Sequence, residues 1–247
     1  MALSRSSSPV ETVVAALGNF LFRHRNKLFP VFYVLLFVPS PRLTGNLMTI
    51  MVSGFMISAM GQVVRIAAIG LKYIIRGGRR RRVYAEALVT NGIFAHLRNP
   101  LYLGNLLILV GLGVMANSLL FNLVVSPLFI FMYAAIIRAE ENFLGKKFGE
   151  AYHKYITDVN RWLPRLSGLR ETFESMEFRW KRVLIREYTT TYIWLSGTVL
   201  VAMRNLAQSP DNSFYRDHWQ WGGYALGGLL TIYLVIRTLK IWKVITV

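Results

Sequence analysis

Apolar runs long enough to cross a lipid bilayer recur along the chain, and short polar or basic stretches separate them. A transmembrane helix needs about 20 mostly apolar residues. The pattern predicts an interfacial helix at residues 10–22 and six spans after it. The spans are residues 28–41, Asn46–Ile75, Leu101–Met115, Leu119–Ile137, Tyr188–Met203 and Gly222–Trp242. Because the bilayer core offers the backbone no hydrogen-bond partners, the predicted fold class is all-α, a polytopic membrane helix bundle.

Prolines and small polar residues mark where these helices bend or end. Pro30 and Pro39 shorten and kink the first span. Asn117 and Ser118 form the tight turn of a helical hairpin between the third and fourth spans. Residues 138–187 are rich in charged side chains, so we predict a cytoplasmic segment there.

Composition narrows the class of partner. The chain has a net charge of +17, which by itself is typical of a nucleic-acid-binding protein. With 54% hydrophobic residues, however, the positive charge more simply marks cytoplasmic loops, so we expect membrane lipids and no nucleic acid as partners. The chain has no cysteine, and its four scattered histidines form no ligand cluster, so we expect no metal site.

Basic residues also predict the orientation. If six spans alternate from a cytoplasmic N-terminus, only Arg42, Arg204 and Arg216 of the 29 Lys and Arg residues fall outside. Arg65 lies within the second span, and the remainder, including the run Arg79–Arg82, is cytoplasmic. Positive charge favours the cytoplasmic side. We therefore predict an integral membrane protein with both termini cytoplasmic, in an inner membrane or the endoplasmic reticulum.

The segment Thr90–Gly104 carries polar residues to the start of the third span. Asn99 is a favourable N-cap residue and Pro100 a favourable first helical residue. His96 and Arg98 come just before this helix start, where the unpaired backbone N–H groups favour an anion. The segment alone is also compatible with a capped helix start that has no further role.

A second polar element follows about forty residues later, at Glu140 and Glu141. Residues spaced by three and four would share one face of a helix that leaves the fourth span, although Gly149 would break it. They are Arg138, Glu141, Gly145, Phe148, Tyr152 and Tyr155. Charged residues at the end of a span are often only solvated, but the predicted topology brings both elements to the same side of the membrane.

Three blocks of sequence in this region occur in a familiar order. They read LVTNGIFAHLRNPLYLG, EENFLGKKFGEAYHKY and VNRWLP, within Leu88–Arg165. Together they closely resemble the isoprenylcysteine carboxyl methyltransferase family, integral membrane enzymes that use S-adenosylmethionine and are related to phospholipid methyltransferases. The chain differs from the usual pattern at Phe94, Asn99 and Asn160, where tyrosine, histidine and proline are usual.

The resemblance implies a cofactor pocket at the cytoplasmic mouth of the bundle. Glu140 or Glu141 would accept hydrogen bonds from the ammonium or ribose of S-adenosylmethionine, and Tyr152 and Tyr155 would close over the adenosine. The remaining cofactor contacts would be His96, Arg98, Asn99, Pro100, Tyr102 and Gly104. The pattern divides the chain into an N-terminal unit at 1–87, a methyltransferase core at 88–166, and a basic connector with two spans at 167–247.

The implied reaction is methyl transfer to a lipophilic acceptor, first of all a carboxylate of the isoprenylcysteine type. Arg138 would hold the acceptor carboxylate, and Glu141 would orient the cofactor or Arg138. With a phospholipid amine as acceptor, Glu141 would become a candidate base. No metal is required for either transfer.

Two further interpretations stay open. Nicotinamide-dependent membrane sterol and enone reductases also resemble the R-x-P-x-Y-x-G element, and a non-catalytic membrane scaffold would bind no cofactor. Residues 188–247 lie beyond the resembling blocks. We expect these last two spans to wall the acceptor cleft or to form a contact between copies of the chain.

Overall fold

The computed structural model describes residues 9–71 and 85–246, and this part of the chain is built from α-helices. A 3-10 turn at Gly92–Ala95 precedes the third helix, and a π-helical stretch at Phe121–Val125 runs directly into the fourth. Residues 1–8, 72–84 and 247 lie outside the described residues, and with them the predicted end of the second span and the run Arg79–Arg82. The helices are α1 Pro9–Leu35, α2 Leu47–Leu71, α3 Pro100–Met115, α4 Ser126–Phe148, α5 Glu150–Asp158, α6 Leu169–Glu174, α7 Trp180–Ala207 and α8 Ser213–Ile241.

The predicted all-α membrane bundle is confirmed. Within residues 9–71 and 85–246, three helices are long and apolar enough to cross a membrane: Leu47–Leu71, Phe121–Phe148 and Ser213–Ile241. Helix α3 is also apolar but shorter. The count of six spans and the division at residues 87 and 166 stay predictions.

The N-terminal helix differs from the prediction. The sequence suggested an interfacial helix at 10–22 and a separate span at 28–41, whereas α1 is one continuous helix of 27 residues with Pro30 inside it. Packing holds the helix across this proline: the rings of Phe29 and Phe32 lie 5.4 and 4.9 Å from that of Phe129 on α4. Because these contacts flank the single missing backbone hydrogen bond, the helix continues to Leu35.

The polar segment at 138–187 is mostly helical. Helix α4 extends through it to Phe148 and ends at Gly149, whose φ of +52° is easily reached only by glycine. The predicted helix break is therefore confirmed. The predicted hairpin turn is confirmed as well: Asn117 has a φ of 52°, and its side-chain oxygen accepts from the backbone N–H groups of Leu43 and Thr44 at 2.9 and 3.1 Å.

Helices α2 and α3 touch backbone to backbone along a row of glycines. A Cβ atom on Gly61 would lie 2.6 Å from the carbonyl oxygen of Gly104, and one on Gly111 would lie 2.6 Å from that of Gly54. Small residues permit such close approach in membrane helices. This contact fixes the start of α3 relative to α2.

The helix ends segregate to two sides of the bundle. At one side, Arg42 donates to the carbonyl oxygen of Gln208 at 2.6 Å. The backbone N–H of Leu119 donates to the carbonyl oxygen of Pro41 at 2.9 Å. The loops after α1, α3 and α7 therefore lie together, as alternating helix directions require. Which side faces the cytoplasm stays a prediction.

Candidate functional site

A cavity of about 960 Å³ lies between α1, α3, α4 and α7. Its lining changes character along the helices. Charged and polar residues line the mouth, near the start of α3 and the end of α4: Arg25, Arg98, Asn99, Tyr102 and Glu140. Farther along the same helices the lining is mainly apolar: Tyr33, Leu36, Phe37, Ile108, Ile193 and Leu200.

Glu140 is an acidic residue among those that line the cavity. The residue is only 5% exposed, and its carboxylate accepts a hydrogen bond from the hydroxyl of Tyr102 at 2.5 Å. The guanidinium of Arg25, which lies 4.2 Å from the ring centre of Phe22, donates to the same hydroxyl at 3.5 Å. A buried carboxylate beside an aromatic ring is suited to a cationic group of a ligand.

Glu141 lies beside the cavity rather than in its lining. Its carboxylate is 3.1 Å from Arg98 and accepts from Arg161 at 2.5 and 3.0 Å. Of these three residues, Arg98 lines the cavity. Glu141 therefore contributes to the cavity indirectly, because its carboxylate holds the guanidinium of Arg98 in position at the mouth.

Asn99 occupies the position just before α3, and Pro100 is the first residue of that helix, as predicted. The Asn99 side chain makes no capping hydrogen bond. Its amide nitrogen is buried and has no hydrogen-bond partner within residues 9–71 and 85–246, and the residue is among those that line the cavity. Since an unpaired buried donor is unfavourable, this amide would gain from any acceptor that comes within its reach.

Two predicted cofactor residues have contacts elsewhere. His96 is buried, and its ring nitrogens lie 2.7 Å from the carbonyl oxygen of Arg165 and 2.8 Å from the hydroxyl of Thr172. Gly104 packs against α2, where a Cβ atom would lie 2.7 Å from the carbonyl oxygen of Gly61. In this structure His96 joins the mouth to the segment before α7, and Gly104 permits the α2–α3 contact.

Tyr152 and Tyr155 lie in a separate buried cluster on α5. The hydroxyl of Tyr155 donates to the carbonyl oxygen of Phe94 at 2.7 Å, so α5 supports the turn that precedes the mouth. Arg138 is half-buried on α4. None of these three residues is among those that line the cavity, and the roles that the sequence suggested for them stay predictions.

A polar network beside the cavity was not predicted from the sequence. Arg65 on α2 donates to both carboxylate oxygens of Glu187 on α7, at 2.6 and 2.8 Å, and to the side-chain oxygen of Asn105 at 2.5 Å. Asn105 donates in turn to the hydroxyl of Tyr133 at 2.8 Å. The available signal was Arg65 itself, because a cation within a span requires a partner.

Comparison with known proteins gives a family match. The model of the phospholipid methyltransferase family matches residues 41–151. The chain is 35% identical over 159 residues to the cobalt-zinc-cadmium resistance protein CzcN of Cupriavidus metallidurans. This alignment covers 63% of this chain and 70% of that protein. It is 37% identical over 83 residues to the nickel-cobalt-cadmium resistance protein NccN of Alcaligenes xylosoxydans xylosoxydans, covering 34% of this chain and 38% of that protein. No solved structure matches.

The matched residues supply most of the mouth but not the whole cavity. Arg98, Asn99, Tyr102 and Glu140 all lie within residues 41–151. The cavity walls formed by α1 and α7 lie outside the match. The match therefore contains four residues of the mouth together with apolar lining residues such as Ile108 and Phe129, and it leaves out Arg25.

Proposed function

Because the chain belongs to the phospholipid methyltransferase family, we propose that it transfers a methyl group from S-adenosylmethionine to a lipophilic acceptor in the membrane. One observation carries this proposal: a single cavity joins a charged mouth to a mainly apolar interior. A polar cofactor and an apolar acceptor can therefore meet in it without leaving the protein.

The mouth offers matching groups for the cofactor. The guanidinium of Arg98 and the unpaired amide of Asn99, both at the start of α3, would hold the methionine carboxylate. The carboxylate of Glu140 and the ring of Tyr102 would lie toward the ammonium and sulfonium groups. This assignment places opposite charges on the two sides of the mouth.

The transfer itself needs little from the protein beyond alignment. The acceptor oxygen attacks the methyl carbon, the carbon–sulfur bond breaks, and its electron pair stays on sulfur to give S-adenosylhomocysteine. A carboxylate acceptor is already deprotonated at neutral pH, so no base is required. The walls of the cavity would keep the two reactants in line.

For the acceptor we favour a carboxylate of the isoprenylcysteine type, and Arg25 is then the residue that would bind it. Arg25 lines the cavity, whereas Arg138, the residue that the sequence suggested, does not. If the acceptor is a phospholipid amine, a proton must leave. Glu140, buried at the mouth, would then be a better placed base than Glu141.

We further propose that the mouth faces the cytoplasm, where the cofactor is made. The distribution of basic residues supports this orientation. Most of them fall in the predicted loops on one side of the membrane, and these loops include Arg98 and Arg161.

Isothermal titration of the purified full chain tests the cofactor. We expect S-adenosylhomocysteine to bind, and Glu140→Gln to weaken that binding about tenfold through the loss of a charged partner. Glu150→Gln, at an exposed acid on α5, is the matched control and should bind normally.

Two other ligands separate the competing functions. NADPH binding without S-adenosylhomocysteine binding would overturn the proposal in favour of a reductase. The printed names of the two relatives refer to resistance to cobalt, zinc, cadmium and nickel, so Zn²⁺ and Co²⁺ are titrated as well. Binding of these cations alone would also contradict a methyltransferase.

A further inference from the structure

Helix α7 contributes one continuous face to the cavity, although it lies beyond the matched residues 41–151. The lining residues recur at the three- and four-residue spacing of a helix face: Thr189, Thr190, Ile193, Ser196, Gly197 and Leu200. From Thr189 to Leu200 this face spans about 16 Å, roughly half of a bilayer core of about 30 Å. The cavity is therefore deep as well as wide.

The deep part of the cavity is suited to hydrocarbon. Tyr33, Leu36 and Phe37 line it from α1, and Ile193 and Leu200 line it from α7. Ser196 is the polar residue that α7 contributes to this deep part. The charged residues of the mouth and of the Arg65 network lie nearer the other end of the same helices, so an amphiphile would enter with its polar group at the mouth.

Gly197 is the residue without a side chain among those of α7 that line this depth. The nearest neighbours of a Cβ atom there would be side-chain carbons, those of Leu112 at 3.5 and 3.9 Å and of Tyr33 at 3.9 Å, which are ordinary contacts. At Gly61, by contrast, a Cβ atom would lie 2.6 Å from the backbone of Gly104. Helix packing thus requires glycine at 61 but not at 197, where glycine also weakens the helix relative to alanine.

We propose that Gly197 determines specificity: by leaving the cavity deep, it admits the long hydrocarbon chain of the acceptor alongside α7. This inference rests on the proposed methyl transfer and adds the class of acceptor, a lipid with one long chain whose reacting group lies at the mouth. A larger side chain at 197 would project into the cavity and select shorter chains.

Photo-crosslinking tests this inference directly. The full chain in nanodiscs is exposed to a palmitate or an octanoate probe, each with a diazirine at the end of its chain, and labelled residues are mapped by mass spectrometry. We expect palmitate to label the Ile193–Leu200 face. We expect Gly197→Leu to reduce that labelling about tenfold, because each methylene that a pocket rejects is worth about tenfold or more, while octanoate labelling persists.

The matched control is Gly223→Leu on α8, an exposed glycine with no other atom within 4 Å of the position that a Cβ atom would take, and it should label as the unmodified chain does. Full palmitate labelling of the α7 face in Gly197→Leu would overturn the inference, as would absence of labelling there in the unmodified chain. Titration with S-adenosylhomocysteine is run on the same samples. Loss of cofactor binding in the unmodified chain contradicts the proposed function, whereas intact binding with unchanged chain selection contradicts only the role of Gly197.

Discussion

At the scale of single residues, the charged side chains at the mouth of the cavity have hydrogen-bond or ion-pair partners, whereas one buried amide does not. Glu140 is bonded to Tyr102, and Arg98 is held by Glu141. The Asn99 amide is buried without a partner in the part of the chain that the structure describes. A ligand oxygen that accepts from this amide would gain a hydrogen bond at no cost to another.

This difference gives a first prediction. Asn99→Ala should weaken S-adenosylhomocysteine binding about tenfold or more, since a hydrogen bond to a charged group contributes about 1.5–3 kcal/mol. Asn99→Asp should weaken it more, because a carboxylate would face the carboxylate of the cofactor. Titration calorimetry measures both, with Asn46→Asp as control: Asn46 is exposed and caps α2, a role that aspartate fills equally well. Tighter binding by Asn99→Asp would refute the assignment.

A second prediction separates the two arginines considered for the acceptor. Arg25→Ala should raise the KM for a carboxylate acceptor about tenfold, because a charged hydrogen bond contributes about 1.5–3 kcal/mol. Arg138→Ala should change it less, since Arg138 does not line the cavity. Steady-state kinetics at saturating cofactor provide the measurement. The reverse order of effects would restore Arg138 to the role that the sequence suggested.

At the scale of helices, the ion pair between Arg65 and Glu187 connects α2 to α7. Both side chains are nearly buried, with exposures of 11% and 3%. The pair brings α7, which lies beyond the family match, against the helices that carry the mouth.

A third prediction follows for this pair. Glu187→Gln should destabilise the fold by about 3–5 kcal/mol, because it leaves the guanidinium of Arg65 buried without its counter-ion. The double variant Arg65→Met with Glu187→Leu should recover much of that loss, since it removes both charges. Thermal unfolding in detergent compares the two. Equal stability of Glu187→Gln and the unmodified chain would show that the pair does not hold α7.

Helix positions were largely predictable from the sequence, but contacts between helices were not. The hydrophobic runs located α2, α3 and α8, and Asn99 with Pro100 marked the start of α3 correctly. The continuity of α1 through Pro30 depends on Phe129, a residue almost one hundred positions away in the sequence. Such aromatic packing leaves no local signal.

The same limit applies to the site. Of the cofactor contacts that the sequence suggested, Arg98, Asn99, Pro100, Tyr102 and Glu140 line the cavity together. Helical spacing and the family resemblance also suggested Glu141 and Arg138 as site residues. Spacing and resemblance do not reveal which face of α4 turns toward α1. Arg65 and Glu187 were missed as a pair since more than one hundred residues separate them.

At the scale of the whole molecule, the helix ends gather on two sides. The loops near Arg42, Asn117 and Gln208 are joined by hydrogen bonds, while Arg98 and Arg161 meet Glu141 at the mouth. The positive-inside pattern predicts that the mouth is cytoplasmic.

A fourth prediction uses the absence of cysteine from the chain. In intact cells, a membrane-impermeant maleimide should label Gly45→Cys, in the open loop after α1. It should label Ser167→Cys, an exposed position on the side of the mouth, only after lysis. Labelling of Ser167→Cys in intact cells would place the mouth outside and contradict the orientation.

The most direct test of the central claim is methyl transfer itself. The purified chain in nanodiscs is supplied with methyl-labelled S-adenosylmethionine and a total membrane lipid extract, and labelled products are identified by mass spectrometry. The unmodified chain should label a lipid with a long hydrocarbon chain, and Glu140→Gln should lower the rate about a hundredfold, as expected when a charge facing the reacting group is removed. Absence of label from every lipid with the unmodified chain, or an equal rate with Glu140→Gln, would contradict the proposed methyl transfer.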